Sequence, residues 1–111
     1  MGPTDVHGHH ATALRTAATS PGATIDGRLR SAVLERAAGG STPLPEPYDA
    51  LARQIRDAAY RVTDGQVAAV REITGSDKGA FEVIMCACIG AGLARWDAAV
   101  RAIEEAGDAA P

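Results

Sequence analysis

Aromatic side chains are scarce in this sequence: Trp96, Phe81, Tyr48 and Tyr60 are the four among 111 residues. Apolar residues still make up 46% of the chain, and alanine is their largest single contributor. Alanine favours helix but buries little surface, whereas strands draw on aromatic residues. The composition therefore predicts an all-α fold, a small helical bundle whose core is completed by oligomerisation.

The sequence also lacks an excess of basic residues. Its formal net charge is −3, and Lys78 is the only lysine among eleven basic residues scattered along the chain. Phosphate binding requires clustered Lys and Arg, so we expect no nucleic-acid partner. The first 20 residues have no apolar run of the kind found in signal peptides. The apolar stretch 80–94 contains Glu82 and is shorter than a bilayer span. We therefore expect a cytoplasmic protein with no membrane partner.

Few residues are suited to redox or metal chemistry. The two cysteines, Cys86 and Cys88, are two positions apart, so on a helix they point about 200° apart and cannot form an unstrained disulfide. We interpret both as small packing residues, with Cys88 on the core side and Cys86 opposite. His7, His9 and His10 have only Asp5 nearby, which favours a plain tail or adventitious metal affinity over a fixed site.

A glycine pattern in the last third resembles a nucleotide-binding turn without completing it. Gly90 and Gly92 provide the first two glycines of G-x-G-x-x-G, but Arg95 occupies the third position. The strands that such a fold needs after this turn have no room before Pro111. We therefore predict no cofactor, no metal and no catalytic residue within this chain.

The local signals divide the chain into an arm (1–25), one helical domain (26–107) and a tail (108–111). The arm is weakly patterned, with a break at Ser20-Pro21-Gly22, and is predicted to be weakly ordered or to form one short helix. Helices are predicted over 26–38, 48–62, 64–74 and 77–106, with an extended proline-rich connection at 41–47. A capping box at Thr63 to Gln66 starts the third of these helices, and Gly75 ends it.

The longest predicted helix has an apolar stripe, in which large apolar residues recur every three or four positions. The stripe consists of Phe81, Ile84, Met85, Cys88, Ile89, Gly92, Trp96, Ala99, Val100 and Ile103. We expect it to exceed what the shorter helices can cover, and the small residues at 86–92 should let another helix approach closely. The predicted interface or pocket residues are Phe81, Glu82, Met85, Cys88, Ile89, Gly92 and Trp96.

The second half of the chain resembles the carboxymuconolactone decarboxylase and alkylhydroperoxidase-D-like family. The resemblance lies in the runs YRVTDGQVAAVR and GSDKGAFEV, followed by ACIGAGLARWDAA, and covers residues 48–106. It implies an all-α fold whose helices pair across subunits. Peroxidase members use an upstream C-x-x-C pair with a nearby His and Glu, and this chain has no upstream cysteine.

These observations leave three interpretations open. The first is a non-catalytic helical subunit of this family type, assembling as a homo-oligomer, a dimer or higher, or with a related partner chain. The second is a small enzyme with an apolar pocket at the subunit interface, where Glu82, Cys86 and Tyr60 are the available polar groups. The third is a small-molecule binding protein that uses the same pocket without turnover.

Overall fold

The computed structural model describes residues 9–16 and 25–109, and every regular element within these ranges is a helix. The elements are α1 (9–16), α2 (Gly27–Ala37), α3 (Tyr48–Ala58), a 3-10 turn (Ala59–Arg61), α4 (Asp64–Thr74) and α5 (Asp77–Ala109). The predicted all-α fold with a long C-terminal helix is confirmed. Within the predicted arm, residues 9–16 are helical, whereas the Ser20-Pro21-Gly22 break lies outside the described residues.

The helix boundaries follow from side chains close to them in sequence. The Thr63 hydroxyl accepts a hydrogen bond from the Gln66 amide at 3.1 Å, and the Gln66 side chain accepts one from the Thr63 amide at 3.0 Å. This is the predicted capping box. Gly75 ends α4 with a φ of 83°, a left-handed conformation that glycine adopts without strain. The Ser76 hydroxyl then accepts from the Gly79 amide at 3.0 Å and starts α5.

Two predicted boundaries differ from the structure. The helix that starts at Tyr48 ends at Ala58, and a 3-10 turn and an extended Val62 replace the last predicted turn. The C-terminal helix continues through Gly107 to Ala109, three residues beyond its predicted end. Gly107 has nothing within 4 Å of a potential Cβ and no left-handed φ, so no local geometry stops the helix there.

The core lies between α5 and the first half of the domain. α5 packs most extensively against α2, and it also contacts α3 and α4. The fully buried residues of α2 and α3 include Val33, Ala37 and Leu51, and α5 contributes Val83 and Ala87. At Gly90 the two helices come so close that a Cβ would collide with the backbone of Leu34. The predicted close approach at the small residues of 86–92 is thus made by α2.

A buried carboxylate joins α2 to α3. Asp49 accepts hydrogen bonds from Arg36 Nε at 2.8 Å, from the Leu44 amide at 2.9 Å and from Arg53 Nε at 2.8 Å. The Arg36 hydrogen bond, together with those from Leu44 and Arg53, lowers the pKa of Asp49 to about 2. The side chain is charged, yet Asp49 is only 6% exposed. The hydrogen bonds to the Asp49 carboxylate therefore determine how the connection 41–47 folds back onto α2.

Candidate functional site

An exposed apolar surface runs along α5 on the side facing away from α2. We call it the exposed line, and it comprises Phe81, Met85, Cys88, Gly92, Trp96, Ala99 and Ile103, all of them exposed. The exposed fractions are 59% for Phe81, 42% for Met85, 39% for Trp96 and 71% for Ile103. The other three members of the predicted apolar stripe, Ile84, Ile89 and Val100, are half-buried. Large apolar side chains are rarely exposed in so regular an arrangement unless another surface covers them.

A cleft borders the middle of this line, between α1 and α5. Its volume is about 480 Å³, and its lining consists of His10, Ala11, Leu14, Cys88, Ile89, Gly92, Leu93 and Trp96. The lining is almost entirely apolar, and its polar side-chain groups are the His10 imidazole, the Cys88 thiol and the Trp96 indole N–H. A cleft of this size and character can hold an apolar ligand or an inserted side chain of a partner.

The structure brings four of the seven predicted site residues together in this cleft: Cys88, Ile89, Gly92 and Trp96. Phe81 and Met85 lie on the same face of α5, one to three turns before the cleft. Glu82 is half-buried outside the cleft lining, and its carboxylate accepts a hydrogen bond from the Ile25 amide at 2.8 Å. This hydrogen bond connects Ile25, just before α2, to α5. Glu82 therefore makes a structural contact.

The two cysteines occupy positions opposite to those predicted. Cys86 is buried and Cys88 is exposed. Burial raises the pKa of the Cys86 thiol, the negative charge of Glu82 raises it further, and the positive charge of Arg30 opposes the shift. The prediction was wrong because it assigned the larger side chains of α5 to the core. The core side is instead the small one, where Ala87, Ala91 and Gly90 let α2 pack closely.

Among the remaining polar residues, His10 lines the cleft, whereas Tyr60 and His9 are not among its lining residues. Tyr60 is 84% exposed in the 3-10 turn, with the Arg61 guanidinium 5.7 Å from its ring centre. His9 and His10 are exposed on α1, and His7 lies outside the described residues. Within 9–16 and 25–109, no three His, Cys, Asp or Glu side chains are grouped closely enough to hold a metal ion.

Sequence analysis missed the α1 side of the cleft. His10, Ala11 and Leu14 form that wall, although the whole of 1–25 was assigned to an arm without a site. The available signal was the spacing of Ala11 and Leu14, three positions apart, which places both on one helical face. What the sequence could not give was the position of α1 beside Trp96, more than 80 residues away in the chain.

α5 also satisfies the length and composition criteria of a membrane-crossing helix. The segment Asp77–Gly107 contains a window with a mean hydropathy of 1.5, about a third of which is buried inside the protein. Core helices of soluble proteins satisfy the same criteria. The apolar stretch 80–94 alone is shorter than a bilayer span, but α5 as a whole is long enough to cross one. The length of α5 therefore does not exclude a membrane span.

No protein-family model matches the sequence, and neither a curated protein nor a solved structure matches it.

Proposed function

We propose that this chain is a non-catalytic helical subunit that assembles through the exposed line of α5, either with a second copy of itself or with a related chain. The observation that supports the proposal is the continuity of this apolar surface from Phe81 to Ile103, about 33 Å along the helix at 1.5 Å per residue. The buried core of the described residues includes no member of the exposed line, which leaves this surface available to a partner.

The charges around the exposed line favour a protein partner over a bilayer. Asp97, Arg101, Glu104 and Glu105 are exposed on the same stretch of α5 as Trp96 and Ile103. Charged side chains in the hydrocarbon region cost several kcal/mol each unless they are paired or reach water. A helical partner covers the apolar side of α5 alone and leaves these four charges solvated.

The polar groups near the line support a binding role without catalysis. The Glu82 carboxylate holds the Ile25 amide, and the Cys86 thiol is buried with a raised pKa, which disfavours its nucleophilic thiolate form. Cys88 is exposed, but it has no second cysteine positioned to form a C-x-x-C pair. We therefore expect no peroxide reduction when the protein is supplied with a dithiol. Turnover that disappears in a Cys86→Ser, Cys88→Ser double variant would contradict this expectation.

The resemblance to the carboxymuconolactone decarboxylase-like family is compatible with this proposal. The resemblance implies that helices pair across subunits. The sequence runs on which the resemblance is based include most of the exposed line. The upstream residues that react in the peroxidase members are the part that this chain lacks. A subunit that keeps the packing surface without the reactive residues fits a scaffold role.

Multi-angle light scattering of Trp96→Asp beside wild type tests the assembly. We expect wild type to exceed the monomer mass at micromolar concentration and Trp96→Asp to be monomeric, because an unpaired charge in an interface costs several kcal/mol. The matched control is Ala98→Asp, which adds the same charge to an exposed position about 120° around the helix from Gly92. Circular dichroism should show equal helix content in all three proteins.

Two results would overturn the proposal. One is a wild-type protein that remains a monomer at all concentrations and captures no chain in fixed ratio from host extract. The other is equal loss of mass in Trp96→Asp and Ala98→Asp, since the apolar face would then have no special part in the assembly.

A second candidate function, binding of an apolar small molecule, is favoured by the cleft of about 480 Å³. Trp96 lines this cleft and is the only tryptophan, so its fluorescence reports occupancy directly. Titration with an apolar naphthalene-sulfonate dye should then shift Trp96 emission saturably, and Leu14→Asp on the α1 wall should abolish the shift. A shift that Leu14→Asp leaves unchanged would place the dye elsewhere and reject the cleft.

A further inference from the structure

We infer that the partner on the exposed line is a second copy of this chain, and that the two α5 helices cross antiparallel at Gly92 on a two-fold axis. This inference rests on the proposed assembly function and specifies its partner and geometry. In a two-fold interface the same surface is used twice, so it must be complementary to itself. The exposed line meets that requirement in three ways.

The first is its symmetry of position. Relative to Gly92, the seven members lie at −11, −7, −4, 0, +4, +7 and +11 along the helix. Reversing the direction of α5 about Gly92 therefore reproduces the same set of positions. In an antiparallel pair centred at Gly92, every member of the exposed line lies level with a member of the partner's exposed line. No member lies level with a charged residue.

The second is complementarity of size. The antiparallel pairing brings Trp96 level with the partner's Cys88, and Ala99 level with the partner's Met85. Each large side chain thus meets a small one, whereas a parallel pairing would set Trp96 against the partner's Trp96. Only Phe81 and the partner's Ile103 are both large, and they lie at the ends, where two crossing helices diverge. Alternation of large and small residues across a contact is what allows interdigitation.

The third is the space at the crossing point. Gly92 is exposed, and a Cβ built on it would meet no described residue within 4 Å, so the described part of the chain leaves its surface open. Two backbones can approach most closely where both helices present glycine. The partner's Trp96 then enters the cleft beside Cys88 and Ile89, both of which line it, so one contact accounts for the line and the cleft together.

Charge agrees with this geometry. The same pairing brings Lys78, the only lysine, within two positions of the level of the partner's Glu104, and both side chains are exposed. In a parallel pairing Lys78 would lie level with the partner's Lys78 instead. Glu104 lies about 120° around α5 from Gly92, so the antiparallel arrangement places this pair of opposite charges beside each end of the contact and not within it.

Disulfide trapping in a Cys88→Ser background distinguishes the two directions. Met85→Cys and Ala99→Cys are made separately, and each protein is oxidised alone and after mixing and equilibration of the two. An antiparallel pair sets position 85 level with position 99 but separates two copies of position 85 by about 21 Å, far beyond the reach of a disulfide. We expect crosslinked dimer only in the mixture, in up to about half of the dimers, the statistical share of mixed pairs.

The outcomes separate this inference from the function on which it rests. A crosslink in Met85→Cys alone or Ala99→Cys alone indicates parallel helices and overturns the inference, even if the protein is a dimer. A dimer by light scattering that gives no crosslink in any sample overturns it as well. A monomeric wild type overturns the proposed assembly itself.

A second variant tests the crossing point without new cysteines. Gly92→Leu adds bulk where the described residues leave open space, so at low concentration the monomer should retain its helix content and melt no lower than wild type, because leucine favours helix more than glycine does. The dimer dissociation constant should rise at least about tenfold, because the two backbones can no longer approach. An unchanged dissociation constant would place the crossing elsewhere on α5.

Discussion

The approach of α2 to α5 at Gly90 can be tested by adding a single methyl group. In Gly90→Ala, the new Cβ would overlap the carbonyl oxygen of Leu34, and it would lie 2.9 Å from the Leu34 carbonyl carbon and 3.1 Å from its Cα. These neighbours are backbone atoms, so no change of side-chain rotamer can relieve the overlap. α2 must move outward by about 1 Å or more to restore ordinary contact.

Two opposing effects set the size of the change. Replacing glycine by alanine inside a helix stabilises it by about 1 kcal/mol, whereas overpacking a tight contact costs about 1–3 kcal/mol and occasionally more. The upper end applies here because α2 carries Val33, Leu34 and Ala37, each with 1% exposure or less, and the shift loosens them all. We expect a net loss of about 2 kcal/mol, or a fall in melting temperature of about 8 °C.

Urea denaturation followed by circular dichroism measures this loss, at protein concentrations low enough to avoid assembly. The matched control is Gly92→Ala, two residues further along the same helix, where a Cβ meets nothing within 4 Å. That variant should gain about 1 kcal/mol in the dilute monomer, because only helix propensity changes. If Gly90→Ala is as stable as Gly92→Ala, α2 and α5 do not meet at Gly90 and the described packing is wrong.

Three further predictions concern the cap, the buried charge and the thiols. Thr63→Ala should cost about 1 kcal/mol of unfolding free energy through loss of the capping box, measured by the same urea titration. Because the folded-state pKa of Asp49, about 2, lies below its ordinary value of 3.8, its stabilising effect is complete above about pH 4 and is lost as the pH falls toward 2. Denaturation midpoints across this range should fall less in Asp49→Asn than in wild type, and the surface variant Asp97→Asn should behave as wild type. In the dilute folded protein, a thiol reagent should modify one cysteine rapidly; that fast phase should vanish in Cys88→Ser and persist in Cys86→Ser.

The features that the sequence predicted well are those governed by neighbours in the chain. The Thr63–Gln66 capping box and the left-handed Gly75 depend on residues within a few positions of each other, and both were predicted to the residue. The end of α3 was missed because nothing in 58–62 breaks a helix by composition. The three residues of the 3-10 turn are exposed, and Val62 after it packs against the core, a contact that helix propensity does not report.

The orientation of α5 could not be predicted because the helix has two apolar faces. One has large residues such as Trp96 and Phe81, and the other has small ones such as Ala87 and Gly90. The prediction placed the face with the larger side chains in the core. It therefore assigned Cys88 to the buried side and Cys86 to the opposite side, whereas Cys86 is buried and Cys88 is exposed. The deciding fact, the close approach of the Leu34 backbone, belongs to another helix more than 50 residues away.

Packing on two sides divides α5 into a face for folding and a face for binding. Small residues such as Gly90 and Ala87 let α2 approach within backbone contact, and the buried core includes none of Phe81, Met85 and Trp96. Large apolar residues outside the core are costly to leave in water, although scattered ones would need no explanation. Here they repeat symmetrically about Gly92 over some 33 Å, which a random surface would not do. Bulk added at Gly90 should therefore destabilise the monomer, whereas bulk added at Gly92, only two positions away, should leave the monomer stable and weaken the association of two chains.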